Sequence, residues 1–483
     1  MRINKNFSVL IFFGFLSLAL IVYFRSLSIY FLSDDFGYIL LGRETSFVNS
    51  FKLICQENSL GSGSGLFRPL VDMAFIIAYK IFKLNPVGYH IISLLLHSAM
   101  GWLFYLLVYK ISDNQKLGLL SGGLFIIYPM NIESVVWLSN WTTLISSFFI
   151  LLAMNFYWLF RRHKKSIFWC LTLLTVVFSL LAKETAVILP LALIGLDIIW
   201  CKVNNWNVKK IYRFWKNYLW VIILVLLFLA WRMVMLGGWG GYRTADGSSI
   251  YSSINFSQIY SYIRLIKLFF FNYLNNVIFN INNQSVIIYW ITFFVIFSLA
   301  VLYVVNSKKT FKFFYLLGGL GWIYVFALPA FNLIGGIHPD LANSRFLYLS
   351  SMGFCLVTAI LILDLENWRG YRLHYIPSEI MIFLILVFSV TAHKNQETWL
   401  QASTQIQRIG QKVQQTVSDP QPESEFYFVN LPDNISGAYC LRNGIENYLL
   451  LIYNKPLKYF TAKKVGELPD ETKGMQKYLF DSY

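Results

Sequence analysis

Charged residues are scarce in this chain: Asp, Glu, Lys and Arg make up 13% of its 483 residues, against about 25% in an ordinary soluble protein. Apolar residues make up 57%, with 15 Trp, 30 Tyr and 43 Phe. That balance describes an integral membrane protein with a modest soluble appendage. Cysteine is sparse too. Five are present, with no CxxC pair and no His/Cys cluster at ligand spacing, so no zinc site is legible. Cys170, Cys201 and Cys355 lie in or at the end of apolar runs, as small packing residues do. Cys55 and Cys440 fall on one side of the membrane, which permits a disulfide without requiring it. No glycine-rich loop follows a strand and no Rossmann pattern appears, so nothing here holds a nucleotide in a soluble domain. No repeat with a period of about 20–50 residues is visible.

What the chain does have is apolar runs. A span needs about 20 apolar residues, somewhat fewer where the bilayer thins. Eleven runs qualify: about 7–32, 89–109, 117–128, 144–160, 167–182, 186–200, 218–236, 286–305, 313–329, 346–363 and 376–391. Arg2 and Lys5 precede the first run, which is long for a signal peptide and has no convincing cleavage site, so it reads as a retained span. The formal charge of +16 sits mostly in short connections between spans, as positive-inside topology requires, and not in a nucleic-acid patch. Arg161 to Lys165, Lys202 to Lys216, Lys308 to Lys312 and Arg369 to Arg372 all fall inside when the N-terminus is cytoplasmic. The odd span count then places the C-terminus outside, in a plasma or inner membrane. Residues 1–392 form the membrane part. Residues 393–483 form a small extracytoplasmic α/β domain, with a polar helix at 393–416, strands at 425–431 and 459–460, and a helix at 445–453. The segment 70–82 is too short to span and reads as an interfacial helix.

The conspicuous polar residues collect at the outer ends of spans: Asp34, Asp35, Arg68, Glu133, Lys183, Glu184, His338, Asp340 and Arg345. Carboxylates near hydrocarbon are costly, so the Asp34-Asp35 pair behind the first span is either a functional site or a solvated start of the loop. Lys183-Glu184 interrupts an apolar stretch too long for one span and marks a hairpin. Its charges either make the turn or bind an anion, with Glu184 holding Lys183. Arg68, before Pro69, suits bidentate phosphate binding or snorkelling to head groups. His90 and His97 share one helical face, as packing residues or ligands. Convergence at one membrane face suits a surface-bound reaction, whereas a transporter or flippase of a lipid-linked sugar would place such groups nearer the midplane.

Four stretches carry a family resemblance. They are Phe67-Arg68-Pro69-Leu70, followed by Asn85-Pro86-Val87-Gly88-Tyr89-His90 and His97; Tyr128-Pro129 with Glu133, Val136 and Trp137; Leu181-Ala182-Lys183-Glu184; and Arg345-Phe346-Leu347-Tyr348-Leu349 with Gly353-Phe354. With Asp34-Asp35, their order resembles the GT-C superfamily of polytopic glycosyltransferases, and within it the protein O-mannosyltransferase-like branch, without that branch's tetratricopeptide repeats. Relatives often have His where this chain has Tyr128 and Asn131, and a charged pair where it has Asn140 to Thr143. The resemblance implies a GT-C-like bundle and a polyprenyl-phosphate sugar donor. It also implies a hydroxyl acceptor (protein, glycolipid or cell-surface glycan) on the outer face, and inversion at the sugar carbon. It makes Asp34 or Asp35 the general base, and Arg68, Lys183 and Arg345 the cations on the donor phosphate. His90, His97, Glu133, Glu184 and Tyr348 would support them. The resemblance leaves open a divalent metal, Mg or Mn, held by Asp34 and Asp35.

Overall fold

The computed structural model describes residues 5–50, 66–241, 256, 258–266, 268–269, 310–338, 340–366, 376–421, 424–441, 443–455, 457–462 and 477–481. The expected span at 286–305 and Cys55 lie outside them. Among the described residues, six helical segments are long and apolar enough to cross a membrane: Pro86–Ser112, Leu138–His163, Glu184–Val203, Trp215–Leu236, Phe314–Gly336 and Ser344–Asp364. A bent pair, Gln115–Ile127 with Pro129–Val136, makes a seventh, its two parts meeting at 55°. Pro129 accounts for the bend. It removes one backbone donor and keeps Tyr128 extended, at φ −68° and ψ 122°. The apolar helices Asn6–Val22 and Ser166–Ala182 are shorter. The chain is thus a mostly helical, polytopic membrane protein.

Local signals set the helix starts. Asn85 and Asn114 accept bonds from the N–H groups of Val87 and Leu117 at 3.1 Å each, satisfying donors that a helix start leaves open. Pro86 occupies the first helical position, where its missing N–H is no loss. Two elements depart from the sequence expectation. The first helix ends at Val22, and residues Phe24–Ser28 continue as a 3-10 turn. There Arg25 pairs with Glu397. The last expected span and the polar helix behind it form one unbroken helix, Ile376–Thr416. Its polar half is held by packing: Trp399, Ile406, Ile409 and Val413 recur at helical spacing and are all buried.

Beyond that helix, Glu425–Val429 is the central strand of a three-stranded parallel sheet, flanked by Lys458–Ala462 and Lys477–Asp481. A strand covered on both faces should be apolar throughout, and all five residues of Glu425–Val429 are buried. Helix Ile445–Tyr453 follows a two-residue hairpin, Asn434–Ile435 with Ala438–Tyr439. One apolar cluster runs from the bundle into this sheet, joining Leu103, Phe354, Ile406, Phe426 and Tyr448. At the bundle end away from the acid pair, Asp197 accepts bonds from Tyr157 and Tyr218, at 2.5 Å each, and from Arg161 at 2.6 Å. It ties three helices together through a buried ion pair.

The helices Thr310–Ala327 and Tyr348–Glu366 approach until their backbones touch. A Cβ placed on Gly353 would lie 2.5 Å from the Gly319 carbonyl oxygen and 2.9 Å from the Ile323 nitrogen. Gly353→Ala should therefore force the helices apart and cost about 1–3 kcal/mol. Thermal unfolding of the detergent-purified protein measures this. A midpoint equal to wild type would mean that the contact is slack.

Candidate functional site

Alternation of the crossing helices brings the connections containing Asp34, Arg68, Glu133, Lys183 and Arg345 to one end of the bundle. The acid pair opens the helix Asp35–Glu44, where a negative charge is favoured. Its two members differ. Asp35 is buried. One carboxylate oxygen accepts the Leu32 N–H at 3.0 Å. The other accepts the Ser139 N–H at 2.7 Å together with the Ser139 hydroxyl. Burial pushes its carboxyl up to about 7, against the pull of those donors, and the neighbouring charge of Asp34 adds to the rise. Asp34 is half-buried and is met by the Asn443 side-chain N–H at 3.3 Å. Asp35 is built into the turn, and Asp34 is the more exposed of the two.

This geometry does not suit a metal held by both acids. The oxygens of Asp35 already take N–H and O–H donors inside the fold. Among the described residues, no group of three or more His, Cys, Asp or Glu could hold a metal ion.

The cations gather around two buried carboxylates. Arg68 donates twice to Glu184, from Nε at 3.2 Å and from Nη2 at 2.8 Å. Glu133 accepts the Arg345 backbone N–H at 2.9 Å, the Ser344 hydroxyl at 3.3 Å and the Arg345 guanidinium. That guanidinium lies 4.6 Å from the Phe346 ring centroid and 5.1 Å from that of Trp137. Lys183 donates to the Thr143 hydroxyl at 2.8 Å. Glu184 thus holds Arg68, not its neighbour Lys183, because adjacent residues at a helix end point apart. Burial lowers the Lys183 ammonium to about 7. Arg68 and then Arg345 add to the drop, while Glu184 and Glu133 oppose it.

Arg232, which the sequence reading passed over, is also buried and close enough for its charge to act on Glu184. An arginine inside an apolar run was the available signal. Together, four cations (Arg68, Lys183, Arg232, Arg345) surround two carboxylates. Lys183 and Arg345 reach a small, partly open cavity, whose wall carries the hydroxyls of Thr143, Ser147 and Thr185 and the apolar side chains Ile188, Phe326 and Leu349. Such a wall suits an anion attached to something apolar.

The histidines face neither group. His97 donates from Nε2 to the Ile126 carbonyl at 3.1 Å, so its Nδ1 accepts the Tyr348 hydroxyl at 2.6 Å. His90 donates to the Ile29 carbonyl at 2.9 Å. His90 thus ties helix Pro86–Ser112 to the segment after the first helix, and His97 ties it to the helices Gln115–Ile127 and Tyr348–Glu366. The segment from Glu133 to Thr143 joins the two charged groups: Ser139 holds Asp35, Trp137 bonds the Leu32 carbonyl at 3.4 Å, and Thr143 holds Lys183.

No protein-family model matches the chain. It is similar to the protein O-mannosyl-transferase Tmtc1 of Drosophila melanogaster, at 30% identity over 207 residues, 41% of this chain and 24% of that protein. A protein O-mannosyl-transferase of Caenorhabditis elegans is 23% identical over 351 residues, 69% of this chain and 47% of that protein. The chain thus spans less than half the length of these relatives. Among solved structures, ArnT of Cupriavidus metallidurans bound to undecaprenyl phosphate superposes with a TM-score of 0.52 at 11% identity, over 95% of this chain and 86% of ArnT. The oligosaccharyltransferase of Archaeoglobus fulgidus, tethered with an acceptor peptide, gives 0.50 at 11% identity, over 92% of this chain and 64% of that one. The fold is thus shared with ArnT and the archaeal oligosaccharyltransferase, and the sequence is similar to protein O-mannosyl-transferases.

Proposed function

We propose that this chain is a membrane glycosyltransferase that moves a sugar from a polyprenyl-phosphate carrier to a hydroxyl acceptor on the non-cytoplasmic face. The cavity carries this reading. Two cations and three hydroxyls share its wall with apolar side chains, backed by a cluster with more positive than negative groups. An excess of buried positive charge is costly unless an anion completes it, and a lipid phosphate brings both the anion and an apolar tail. The similarity to O-mannosyl-transferases and the fold shared with an undecaprenyl-phosphate-bound structure support the same donor class.

In this reading Asp34 is the general base, because it is only half-buried whereas Asp35 is fully buried. Asp34 takes the proton from the acceptor hydroxyl as its oxygen bonds to the anomeric carbon. The bond from that carbon to the phosphate oxygen breaks, its electron pair leaves with the lipid phosphate, and the configuration inverts. Lys183 and Arg345, with Arg68 behind them, meet the charge that grows on the leaving oxygen. Asp35 fixes the turn on which Asp34 sits.

Topology follows the basic connections. The site end faces outward, and Arg161, Arg162, Lys164 and Lys165 face the cytoplasm with the N-terminus. The two shorter apolar helices and the first half of Ile376–Thr416 join the seven described above, and the further span expected at 286–305 lies outside the described residues. Residues 393–483 then lie outside as the acceptor-side domain. Mass spectrometry of envelope glycans and glycoproteins, from cells with and without the protein, tests the function. Its loss should leave one product class a single sugar shorter. Unchanged glycans alongside altered movement of a lipid-linked sugar would make the protein a transporter.

A further inference from the structure

The cation cluster and the acid pair are touched by the same piece of the C-terminal region. Tyr439 is buried with its ring centroid 4.8 Å from that of Trp137 and 5.5 Å from the Arg345 guanidinium. Its hydroxyl accepts from Arg345 Nη1 at 3.4 Å and donates to Asn343 Oδ1 at 3.0 Å. The next residue, Cys440, accepts the Ser33 N–H on its carbonyl at 2.7 Å. Ser33 is left-handed, at φ 47°, and leads directly into Asp34. Asn443 donates to Asp34 itself.

Two glycines bring this piece so close. A Cβ on Gly444 would lie 2.2 Å from the Ser33 carbonyl oxygen, and one on Gly437 would lie 2.9 Å from the Asp340 carbonyl oxygen. Gly437 also stands at φ 89°, in the left-handed region. The C-terminal backbone therefore presses on the acid-bearing turn at one point and on the connection leading to Arg345 at another. Side chains more than 90 residues apart in sequence meet here, and the contacts fall on the charged groups themselves.

We infer that Tyr439 and Asn443 are positioning residues of the reaction centre, Tyr439 for Arg345 and Asn443 for Asp34. This rests on the glycosyltransferase reading and deepens it. The two residues act on different steps. Tyr439 sets where the Arg345 guanidinium sits on the cavity wall, so it governs capture of the lipid phosphate. Asn443 sets the direction of the Asp34 carboxylate, so it governs attack by the acceptor and leaves phosphate capture alone. A misplacement of about 1 Å in such a constellation can cost roughly 100-fold.

The test uses the full chain, purified in nanodiscs for undecaprenyl phosphate binding, and expressed in cells lacking it for product analysis by mass spectrometry. Tyr439→Ala should weaken undecaprenyl phosphate binding by roughly tenfold or more, with Tyr439→Phe, which keeps the ring on Trp137, losing less. Asn443→Ala should bind undecaprenyl phosphate as wild type does yet form roughly tenfold less product per protein molecule, and Asn443→Gln, which keeps the amide donor, should recover part of it. Alanine variants that match wild type in binding and in product per molecule overturn the inference, whether or not less protein accumulates. A wild-type protein that neither binds undecaprenyl phosphate nor alters any glycan overturns the glycosyltransferase reading itself, before any substitution is compared.

Discussion

Asn in place of Asp34 should lower sugar transfer by roughly 100- to 10,000-fold, the usual worth of a positioned general base, while the protein folds as before. The substitution keeps size and shape and removes only the ability to take a proton. Asp34 is half-buried, and its Asn443 contact involves an exposed side chain, so the structure tolerates the change. Asp35→Asn should do the opposite. An amide offers one acceptor oxygen where Asp35 uses two, and it turns an NH₂ towards N–H or O–H donors. Leaving a buried donor unmet costs about 1–3 kcal/mol, so this variant should unfold at lower temperature and lose activity only as far as the turn loosens. The buried acid also has a signature in pH. Its folded carboxyl titrates near 7, while in the unfolded chain it titrates at the ordinary value of about 4. The folded form keeps a proton that the unfolded form has released, so this group's contribution to stability falls as pH rises across that interval. Asp35→Asn should flatten the slope. Product per protein molecule and thermal unfolding, measured on both variants, decide the assignment. Full activity in Asp34→Asn would remove it from the base position.

The second large effect concerns Lys183. Lys183→Met keeps the stem and removes the charge, and it should weaken undecaprenyl phosphate binding by roughly 10- to 100-fold, matching the 1.5–3 kcal/mol of a hydrogen bond to a charged group. In the free protein the ammonium is held down to about 7, by burial first and by Arg68 and Arg345 after it. A bound phosphate reverses that balance and raises it again, so binding takes up a proton. Affinity should then fall as pH rises above 7, because a neutral amine must first be protonated. Below about pH 6 the phosphate's own second ionisation reduces affinity from the other side. Lys183→Met should lose the alkaline limb and keep the acid one. Equal binding and an unchanged pH profile in the variant would place the phosphate elsewhere.

Much of the architecture was legible in the order of residues. Runs near bilayer length, capped by Asn85 and Asn114 and bent at Pro129, announce helices that must satisfy their own backbone bonds in lipid. Their alternation carries Asp34, Arg68, Glu133, Lys183 and Arg345 to one end without any knowledge of packing. The resemblance to a glycosyltransferase family could be recognised from the same residues, and the comparisons support it. The helix Ile376–Thr416 was harder. Its apolar and polar halves look like a span and a separate helix, and only the buried stripe from Trp399 to Val413 shows why it continues unbroken.

Partner choice was not legible at all. Composition and spacing locate charges along the chain, yet Arg68 meets Glu184 across 116 residues and Arg345 meets Glu133 across 212. Which aspartate is buried with both oxygens bonded depended in part on Ser139, 104 residues away. Arg232 entered the cluster, Tyr439 met Arg345 and Asn443 met Asp34 through contacts no local pattern encodes. Hydrophobic length and helix-end chemistry act over a few residues, so the chain alone set its helices and the end where its charges gather. Burial and pairing of charge depend on distances in space, so only the folded bundle decided which charged groups are buried and which partners they meet.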